Sequence, residues 1–93
     1  AGYLIFYYVL EEGEIARIAT AHSVRRQGAA SQMFRKLLDF CREQKITRIM
    51  LEVRENNEAA RQFYGKCGFT KDGIRRNYYE RPKENAVLMS VNL

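Results

Sequence analysis

Apolar and polar residues alternate differently in successive parts of the chain, and each pattern predicts one kind of element. Tyr3 to Leu10 is an uninterrupted run of aromatic, aliphatic and β-branched residues, which favours a strand. The polar segment Glu11-Glu12-Gly13 then predicts a turn, and Glu14 to Ala21 predicts the second strand of a hairpin. In that strand, Ile15 and the pair Ile18-Ala19 interrupt strict alternation, which permits a β-bulge.

Two segments carry apolar residues at helical spacing. We expect a long helix from Gln27 to Gln44 and a shorter one from Glu58 to Lys66. Asn57 is a suitable N-cap for the shorter helix, and Gly68 is placed to end it. The apolar residues of the long helix are Ala30, Met33, Phe34, Leu37, Leu38 and Cys41, and those of the short helix are Ala59, Ala60, Phe63 and Cys67.

Three further strands complete the predicted domain. Arg48 to Val53 alternates strictly, so its aliphatic residues share one face and Glu52 lies on the other. Ile74 to Tyr79 and Ala86 to Leu93 are expected to pair, joined by the polar segment from Glu80 to Asn85. The resulting order, β-β-α-β-α-β-β, indicates a single α/β domain over residues 1–93 in which helices and sheet form layers (an α+β layered fold).

The composition excludes several classes of protein. The longest apolar run, Tyr3 to Leu10, is far shorter than the ~20 residues that a membrane-spanning helix needs, and the first residues do not show the charged stretch and apolar segment typical of a secretion signal. Cys41 and Cys67 are too few for a disulfide scaffold and lack the C-x-x-C spacing of zinc or redox sites. We therefore expect a soluble cytoplasmic protein without a metal, in which both cysteines are buried, reduced and inert.

The chain is basic, with 16 Lys and Arg residues against 11 Asp and Glu residues and a formal net charge of +5. Two clusters, Arg25-Arg26 and Arg75-Arg76, contribute to this excess. Such a charge favours an anionic partner, which could be a phosphorylated cofactor, a nucleic acid or a ribosome. The charge alone does not choose among these partners.

The segment Arg25-x-x-Gly28-x-Ala30, between a predicted strand and a predicted helix, is the strongest candidate for a ligand site. Small residues there let backbone N–H groups of the first helical turn approach a phosphate, and the helix N-terminus adds partial positive charge. The segment is neither a GxGxxG dinucleotide fingerprint nor a Walker A loop. The alternative is an ordinary helix start that happens to contain Gly and Ala.

The wider sequence resembles the GNAT superfamily of acetyl-CoA-dependent N-acetyltransferases. Arg25 to Ala30 matches the superfamily's R/Q-x-x-G-x-G/A cofactor signature. Further matches follow in the same order and spacing: Leu51-Glu52-Val53-Arg54, Asn56-Asn57-x-Ala59-Ala60, Phe63-Tyr64-x-Lys66-x-Gly68-Phe69 and Ile74-Arg75-Arg76-Asn77-Tyr78-Tyr79. The chain is most similar to the branch that acetylates the N-terminal alanine of a ribosomal protein.

The resemblance implies a mixed, mostly antiparallel sheet with helices on both faces, and it implies acetyl-CoA as the cofactor. By similarity, the backbone of Ile18, Ala19 and Thr20 would pair with the pantetheine amides. Asn57 would contact the cofactor arm, although helix capping alone explains an asparagine there equally well. The residues implied for the pyrophosphate are Arg26, Gln27, Gly28, Ala29, Ala30 and Ser31.

The same resemblance implies two catalytic residues. Glu52 corresponds to the general base that deprotonates the acceptor amine, and Tyr64 to the acid that protonates the departing thiolate. Alternatively, Glu52 is a structural carboxylate paired with Arg48 or Arg54, and Tyr64 is a core aromatic. Two further residues, Tyr78 and Tyr79, match tyrosines that would bind the acceptor peptide backbone, or else they are an aromatic strand end.

Compared with the family domain, the chain lacks a first strand, two helices and a second strand, so we expect an N-terminally truncated domain. Its first strand would then lie at an exposed edge, which favours a homodimer. The expected reaction is direct acetyl transfer to a protein N-terminus in a ternary complex, without membrane or nucleic acid as a partner. Acetylation of lysine or small amines is the alternative within the class. A non-catalytic CoA-binding or RNA-binding module is the alternative outside it.

Overall fold

A computed structural model of the chain describes residues 2–20 and 27–93, with the backbone alone at positions 2, 3, 17–20, 27 and 29. The predicted order of elements is confirmed. In these ranges the elements are strands β1 (Gly2–Val9) and β2 (Glu12–Thr20), helix α1 (Gln27–Gln44), strand β3 (Arg48–Arg54), helix α2 (Glu58–Lys66), and strands β4 (Thr70–Glu80) and β5 (Lys83–Asn92). The described strands form one sheet in the order β1-β2-β3-β5-β4, which confirms the predicted α/β class.

The chain divides into two compact units, Ala1–Ile49 with Asn92–Leu93, and Met50–Val91. In the first unit, β1 and β2 form an antiparallel hairpin on which α1 packs. Ile5 lies opposite Arg17 and Phe6 opposite Ile15, so Ala16 is the extra residue of a β-bulge. The bulge that the sequence permits is therefore present.

The hairpin turn of the first unit differs from the prediction. It occupies Leu10 and Glu11 instead of Glu11-Glu12-Gly13, because Leu10 adopts a left-handed φ of 56° and reverses the chain there. Gly13 belongs to β2, where the Phe6 ring lies so close that a Cβ would come within 2.1 Å of it. This glycine is required by close packing within the hairpin and does not form the turn.

The predicted bounds and apolar stripe of α1 are confirmed. Phe34, Leu37 and Cys41 are buried, and the rest of the stripe is half-buried. On the same helix, Phe40 contacts the hairpin through edge-to-face ring pairs with Phe6 and Tyr8. Burial raises the pKa of the Cys41 thiol, so this free cysteine stays protonated at neutral pH.

The second unit is built around β5. This strand lies between β3 and β4 in the sheet, and its consecutive residues Ala86 and Val87, which point to opposite faces, are both buried. β4 pairs with it antiparallel. Two backbone hydrogen bonds flank β3: the N–H of Leu93 donates to the Thr47 carbonyl, and the N–H of Glu55 donates to the Asn85 carbonyl. The residue just before β3 is thus bonded to the residue just after β5, as expected when two strands are antiparallel.

The closing strands are longer than predicted. β4 begins at Thr70 instead of Ile74, and β5 begins at Lys83 instead of Ala86, so the connection is reduced to Arg81 and Pro82. The added residues are mostly polar and exposed, and backbone pairing such as Thr70 with Ser90 and Glu80 with Lys83 makes them part of the strands. A pattern of apolar residues cannot reveal strand ends that are held in this way.

The predicted apolar side of α2 is wrong because it omits the residue of this helix that is buried. Tyr64 is the buried residue of this helix, whereas Ala59 is exposed and Ala60, Phe63 and Cys67 are half-buried. The reason is the aromatic contact that Tyr64 makes with Phe63 and Phe69, each at a ring-centroid distance of 5.6 Å. Cys67 is a free thiol whose pKa is raised by burial. Neither of the two described helices has the length and apolar character needed to span a membrane.

Candidate active site

Most of the described residues predicted to hold a cofactor lie on β2 and in the first turns of α1. Ile18, Ala19 and Thr20 are the last three residues of β2, and their backbone pairs with Leu4, Tyr3 and Gly2 of β1. Arg26, and with it Arg25 and His22, lies outside the described residues. Gln27 and Ala29 are described by backbone alone, and Ala30 and Ser31 are half-buried in the first turns of α1.

Gly28 gives the best structural indication that α1 could accept a ligand at its start. Among the residues that the structure describes, and apart from the backbone of the helix itself, no atom lies within 4 Å of a Cβ built at this position, and the residue is exposed. The packing of these described residues therefore gives no reason for a glycine here. The first turn of α1 also contains no acidic residue. The open space at Gly28 and the partial positive charge of a helix N-terminus together fit a pyrophosphate.

Asn57 is the N-cap of α2, as predicted. Its side-chain oxygen accepts a hydrogen bond from the N–H of Ala60 at 3.1 Å. The side chain is exposed. The capping role is therefore present in the structure, and a contact with the cofactor arm stays a prediction.

Glu52 points away from the aliphatic row of β3, as the alternation predicts. Ile49, Leu51 and Val53 are buried, and the side chain of Glu52 retains 20% exposure. One carboxylate oxygen lies 3.3 Å from a guanidinium nitrogen of Arg75. The alternative named Arg48 or Arg54 as the partner of Glu52, whereas the arginine that the structure shows beside it is Arg75.

The two arginines of that alternative have other partners. Arg48 pairs with Glu12 at 3.7 Å, and Arg54 pairs with Glu84 at 3.2 Å. Arg54 also donates to the carbonyl of Pro82 at 3.1 Å. The carboxylate of Glu84 in addition accepts from the backbone N–H of Asn56. These contacts connect the end of β3 to the turn between β4 and β5.

Tyr64 is only 6% exposed, and its environment favours the neutral phenol. Burial, with smaller contributions from Cys67 and Tyr79, raises its pKa from 10.0 to about 12. The side chain is therefore protonated throughout the neutral range. It can donate a hydrogen bond, but it is a poor base.

Tyr78 and Tyr79 lie near the end of β4, with their rings 5.1 Å apart in an edge-to-face pair. The guanidinium of Arg75 lies 4.9 Å from the centre of the Tyr78 ring, and that of Arg54 lies 4.2 Å from the centre of the Tyr79 ring. Burial and then the charge of Glu52 raise the pKa of Tyr79, which Arg54 opposes.

A bulge in β4 brings these tyrosines into place. Arg75 pairs with Ala86 and Tyr79 with Glu84, so three residues of β4 lie opposite Asn85 alone. Within the bulge, Asn77 has a left-handed φ of 52°, and its N–H donates to the side-chain oxygen of Asn85 at 2.9 Å. The amide of Asn85 donates in turn to Glu55 at 3.2 Å.

The second unit thus contains all four predicted catalytic and substrate residues, Glu52, Tyr64, Tyr78 and Tyr79. Glu52 raises the pKa of Tyr79, and Tyr79 raises that of Tyr64, so Tyr79 lies within electrostatic range of both residues. We call these three residues, with Arg54, Arg75, Tyr78 and Glu84, the Glu52 cluster. The sequence does not indicate that Arg75 pairs with Glu52 or that Arg54 pairs with Glu84. The residue types are visible in the motifs, but their pairing depends on a register that passes through β5 and a bulge.

The described residues give no support for a metal site. Within residues 2–20 and 27–93, no three His, Cys, Asp or Glu side chains are grouped so that they could hold an ion.

Comparison with known proteins assigns the chain to a family. The model of the Acetyltransferase (GNAT) family matches residues 1–69. A Haemophilus influenzae protein, [ribosomal protein bS18]-alanine N-acetyltransferase, is 37% identical over 95 residues, which is 99% of this chain and 64% of that protein.

Two solved structures have the same fold. The ribosomal-protein-S18-alanine N-acetyltransferase from Escherichia coli is 33% identical with a TM-score of 0.88, over 99% of this chain and 61% of that one. An acetyltransferase from Bacillus anthracis in complex with acetyl coenzyme A is 25% identical with a TM-score of 0.85, over 99% of this chain and 55% of that one. The chain spans 61% to 64% of the length of three curated relatives that it matches. It belongs to the GNAT acetyltransferase family.

Proposed function

We propose that residues 1–93 form one acetyltransferase domain that transfers an acetyl group from acetyl-CoA to the α-amine of a protein N-terminus. The acceptor that its relatives suggest is the N-terminal alanine of a ribosomal protein, because that reaction names the H. influenzae and E. coli proteins. The observation that carries the proposal is the Glu52 cluster. It combines a half-buried carboxylate, a protonated buried phenol and two adjacent tyrosines within one unit.

Glu52 is the proposed base. An acceptor amine must lose a proton before its nitrogen can attack a thioester carbonyl, and a carboxylate can accept that proton directly or through water. A protein α-amine, with a pKa of ~8, is more easily deprotonated than a lysine amine at ~10.4. A carboxylate base therefore suits an N-terminal acceptor better than a lysine acceptor.

Tyr64 is proposed to act on the leaving group. A new C–N bond forms while the C–S bond breaks, and the sulfur departs with the electron pair. The phenol of Tyr64 can donate a hydrogen bond to that sulfur. With a pKa of about 12, it holds its proton more tightly than an ordinary thiol at ~8.5. Stabilisation of the thiolate by hydrogen bonding is therefore easier for Tyr64 than complete proton transfer.

Acetyl-CoA supplies the activated acetyl group as a thioester. We propose that the backbone of Ile18, Ala19 and Thr20 pairs with its pantetheine arm and that Asn57 contacts the same arm. The residues proposed to bind its pyrophosphate are Arg26, Gln27, Gly28, Ala29, Ala30 and Ser31. The open space at Gly28 and the absence of acidic residues in the first turn of α1 support this assignment. So does the acetyl coenzyme A in the related B. anthracis structure.

Tyr78 and Tyr79 are proposed to bind the acceptor peptide next to Glu52. Their position does not favour an RNA site, because a guanidinium already lies over a face of each ring. Base stacking on those faces would require that Arg54 and Arg75 move away. A ribosomal acceptor would place the reaction in the cytoplasm. The homodimer expected from the sequence stays a prediction.

A competition assay tests the proposed function. The chain is given acetyl-CoA with an equimolar mixture of an Ala-initiated peptide and a lysine peptide whose N-terminus is blocked, and products are measured by mass spectrometry. We expect the Ala peptide to be acetylated preferentially. Preferential lysine acetylation would indicate the alternative acceptor. Acetyl-CoA binding, followed through backbone amide resonances, without transfer to either peptide would indicate a non-catalytic module.

A further inference from the structure

Arg75 lies between the proposed base and a tyrosine proposed to bind the acceptor peptide. One of its guanidinium nitrogens is 3.3 Å from a carboxylate oxygen of Glu52. Its guanidinium carbon is 4.9 Å from the centre of the Tyr78 ring. The same side chain thus contacts two groups that an acceptor would have to approach.

The sheet is built so that Arg75 can reach Glu52. The two residues lie on β4 and β3, which are separated by β5. Neighbouring strands lie about 4.8 Å apart, so the backbones of β3 and β4 are separated by roughly 10 Å. A contact between side chains of these two strands therefore needs a long side chain. The residue of β5 opposite Arg75 is Ala86, which is fully buried. A small residue at that position leaves room for the Arg75 side chain to cross β5.

The Glu52–Arg75 pair blocks the carboxylate with a positive charge. An acceptor α-amine reaches the site largely as an ammonium, which carries the same charge and competes for the same carboxylate. The Arg75 side chain is 55% exposed, so the ion pair is screened by water and weak enough to be displaced. Tyr78 gives the guanidinium a second contact when Glu52 is lost.

We propose that Arg75 occupies the acceptor's place at Glu52 and that the ammonium of the acceptor displaces it. Arg75 then competes with the substrate for Glu52 and takes no part in the acetyl transfer itself. The proposal rests on the function proposed above, since it takes Glu52 as the group that receives the amine.

Steady-state kinetics with an Ala-initiated peptide test this competition. Arg75→Gln removes the competitor and should lower the KM for the peptide about 1.5- to 5-fold, the range of an exposed ion pair, and this effect on KM should exceed any effect on kcat. Arg75→Lys keeps the charge and should restore a KM close to that of the wild type. Arg76→Gln is the matched control, because it removes an equal charge from the adjacent, exposed position. Its KM should not fall.

Three kinetic results would overturn the proposal. A raised KM in Arg75→Gln would mean that Arg75 binds the peptide. An equal fall in KM in Arg76→Gln would mean that net charge alone is responsible. Unchanged KM in Arg75→Gln would mean that the pair does not compete with the acceptor.

A binding measurement separates this proposal from the proposed function. The Nε–H resonance of Arg75, assigned by its loss in Arg75→Lys, is followed while the Ala-initiated peptide is added to millimolar concentration. Displacement should shift this resonance, and the same peptide with an acetylated N-terminus should not. A shift without acetyl transfer supports displacement and removes the proposed activity. Transfer with an unmoved resonance removes displacement and keeps the activity. An unmoved resonance without transfer removes both.

Discussion

Strands β3 and β4 supply five of the seven residues of the Glu52 cluster, yet different interactions hold the two strands. β3 alternates between buried and half-buried positions along its whole length. None of the residues of β4 is buried. β4 instead has a single partner strand, β5, and its bulge is held by the hydrogen bond between Asn77 and Asn85.

The difference shows how one site can combine a fixed group with movable ones. The position of Glu52 follows from the burial of its neighbours Leu51 and Val53, so the carboxylate cannot leave the face on which it lies. Arg75 and Tyr78 belong to the exposed strand, where side chains can change partners at low cost. The base would then be rigid, and the groups around it adaptable.

The largest expected effect is that of Glu52→Gln. The substitution keeps the shape of the side chain but removes the proton acceptor, and kcat should fall about 10²- to 10⁴-fold at neutral pH. Affinity for acetyl-CoA should not change. The defect should shrink at alkaline pH, where the α-amine, with a pKa of ~8, is already deprotonated. The measurement is kcat as a function of pH, with calorimetry for cofactor binding.

Glu12→Gln is the matched control for this change. Glu12 is also ion-paired to an arginine, Arg48, but it lies on β2 and is not part of the Glu52 cluster. Its kcat should stay close to that of the wild type. A neutral-pH kcat in Glu52→Gln equal to that of the wild type would remove Glu52 as the base.

The second prediction compares the stability contributions of the two strands. Leu51→Ala removes a side chain with 2% exposure from β3 and should lower the free energy of unfolding by about 2 to 5 kcal/mol. Ile74→Ala on β4 removes a side chain with 39% exposure and should cost less than about 1 kcal/mol. Urea denaturation followed by circular dichroism measures both. Equal losses would show that β4 contributes to the core as much as β3 does.

The sequence predicts the buried elements, such as β3, better than the exposed strand β4. The alternation around Leu51 places Glu52 on the correct face, and helical periodicity gives the bounds of α1 and α2 as observed. Both patterns exist because burial selects the residue types. β4 is exposed, so its start at Thr70 left no apolar signal. The sequence does not indicate the partner of Glu52, because Arg75 reaches it across β5. A local pattern of residues carries no information on a contact between strands that are not adjacent.

The third prediction compares a buried and a half-buried tyrosine. The fold raises the pKa of Tyr64 from 10.0 to about 12, so between these values the native state keeps a proton that the unfolded state has lost. Stability should therefore fall as pH rises through this range, by about 1.4 kcal/mol per pH unit and roughly 2 to 3 kcal/mol in total. Tyr64→Phe should remove this part of the pH dependence. Tyr79→Phe should remove less, since Arg54 opposes the rise in the pKa of Tyr79.

Unfolding free energies measured from pH 9 to pH 12 test this prediction. The difference between wild type and Tyr64→Phe isolates Tyr64 from the other groups that titrate there. Parallel curves for the two proteins would show that the Tyr64 phenol ionises as readily in the native state as in the unfolded chain.

The smallest expected effect concerns the bulge of β4. Asn85→Ala removes the hydrogen bonds to the N–H of Asn77 and to Glu55, and should cost about 1 to 2 kcal/mol. The loss should be local. Amide hydrogen exchange should accelerate at Asn77 and its neighbours in β4, while the amides of β3 keep their protection.

Asn92→Ala, at the exposed end of β5, is the control and should change neither strand. If Asn85→Ala accelerates exchange equally in β3 and β4, the two strands open together and the contrast between them is wrong. If only β4 responds, the placement of Tyr78 and Tyr79 depends on polar hydrogen bonds, whereas the placement of Glu52 depends on burial. A substitution that displaces Tyr78 and Tyr79 would then leave Glu52 in its position.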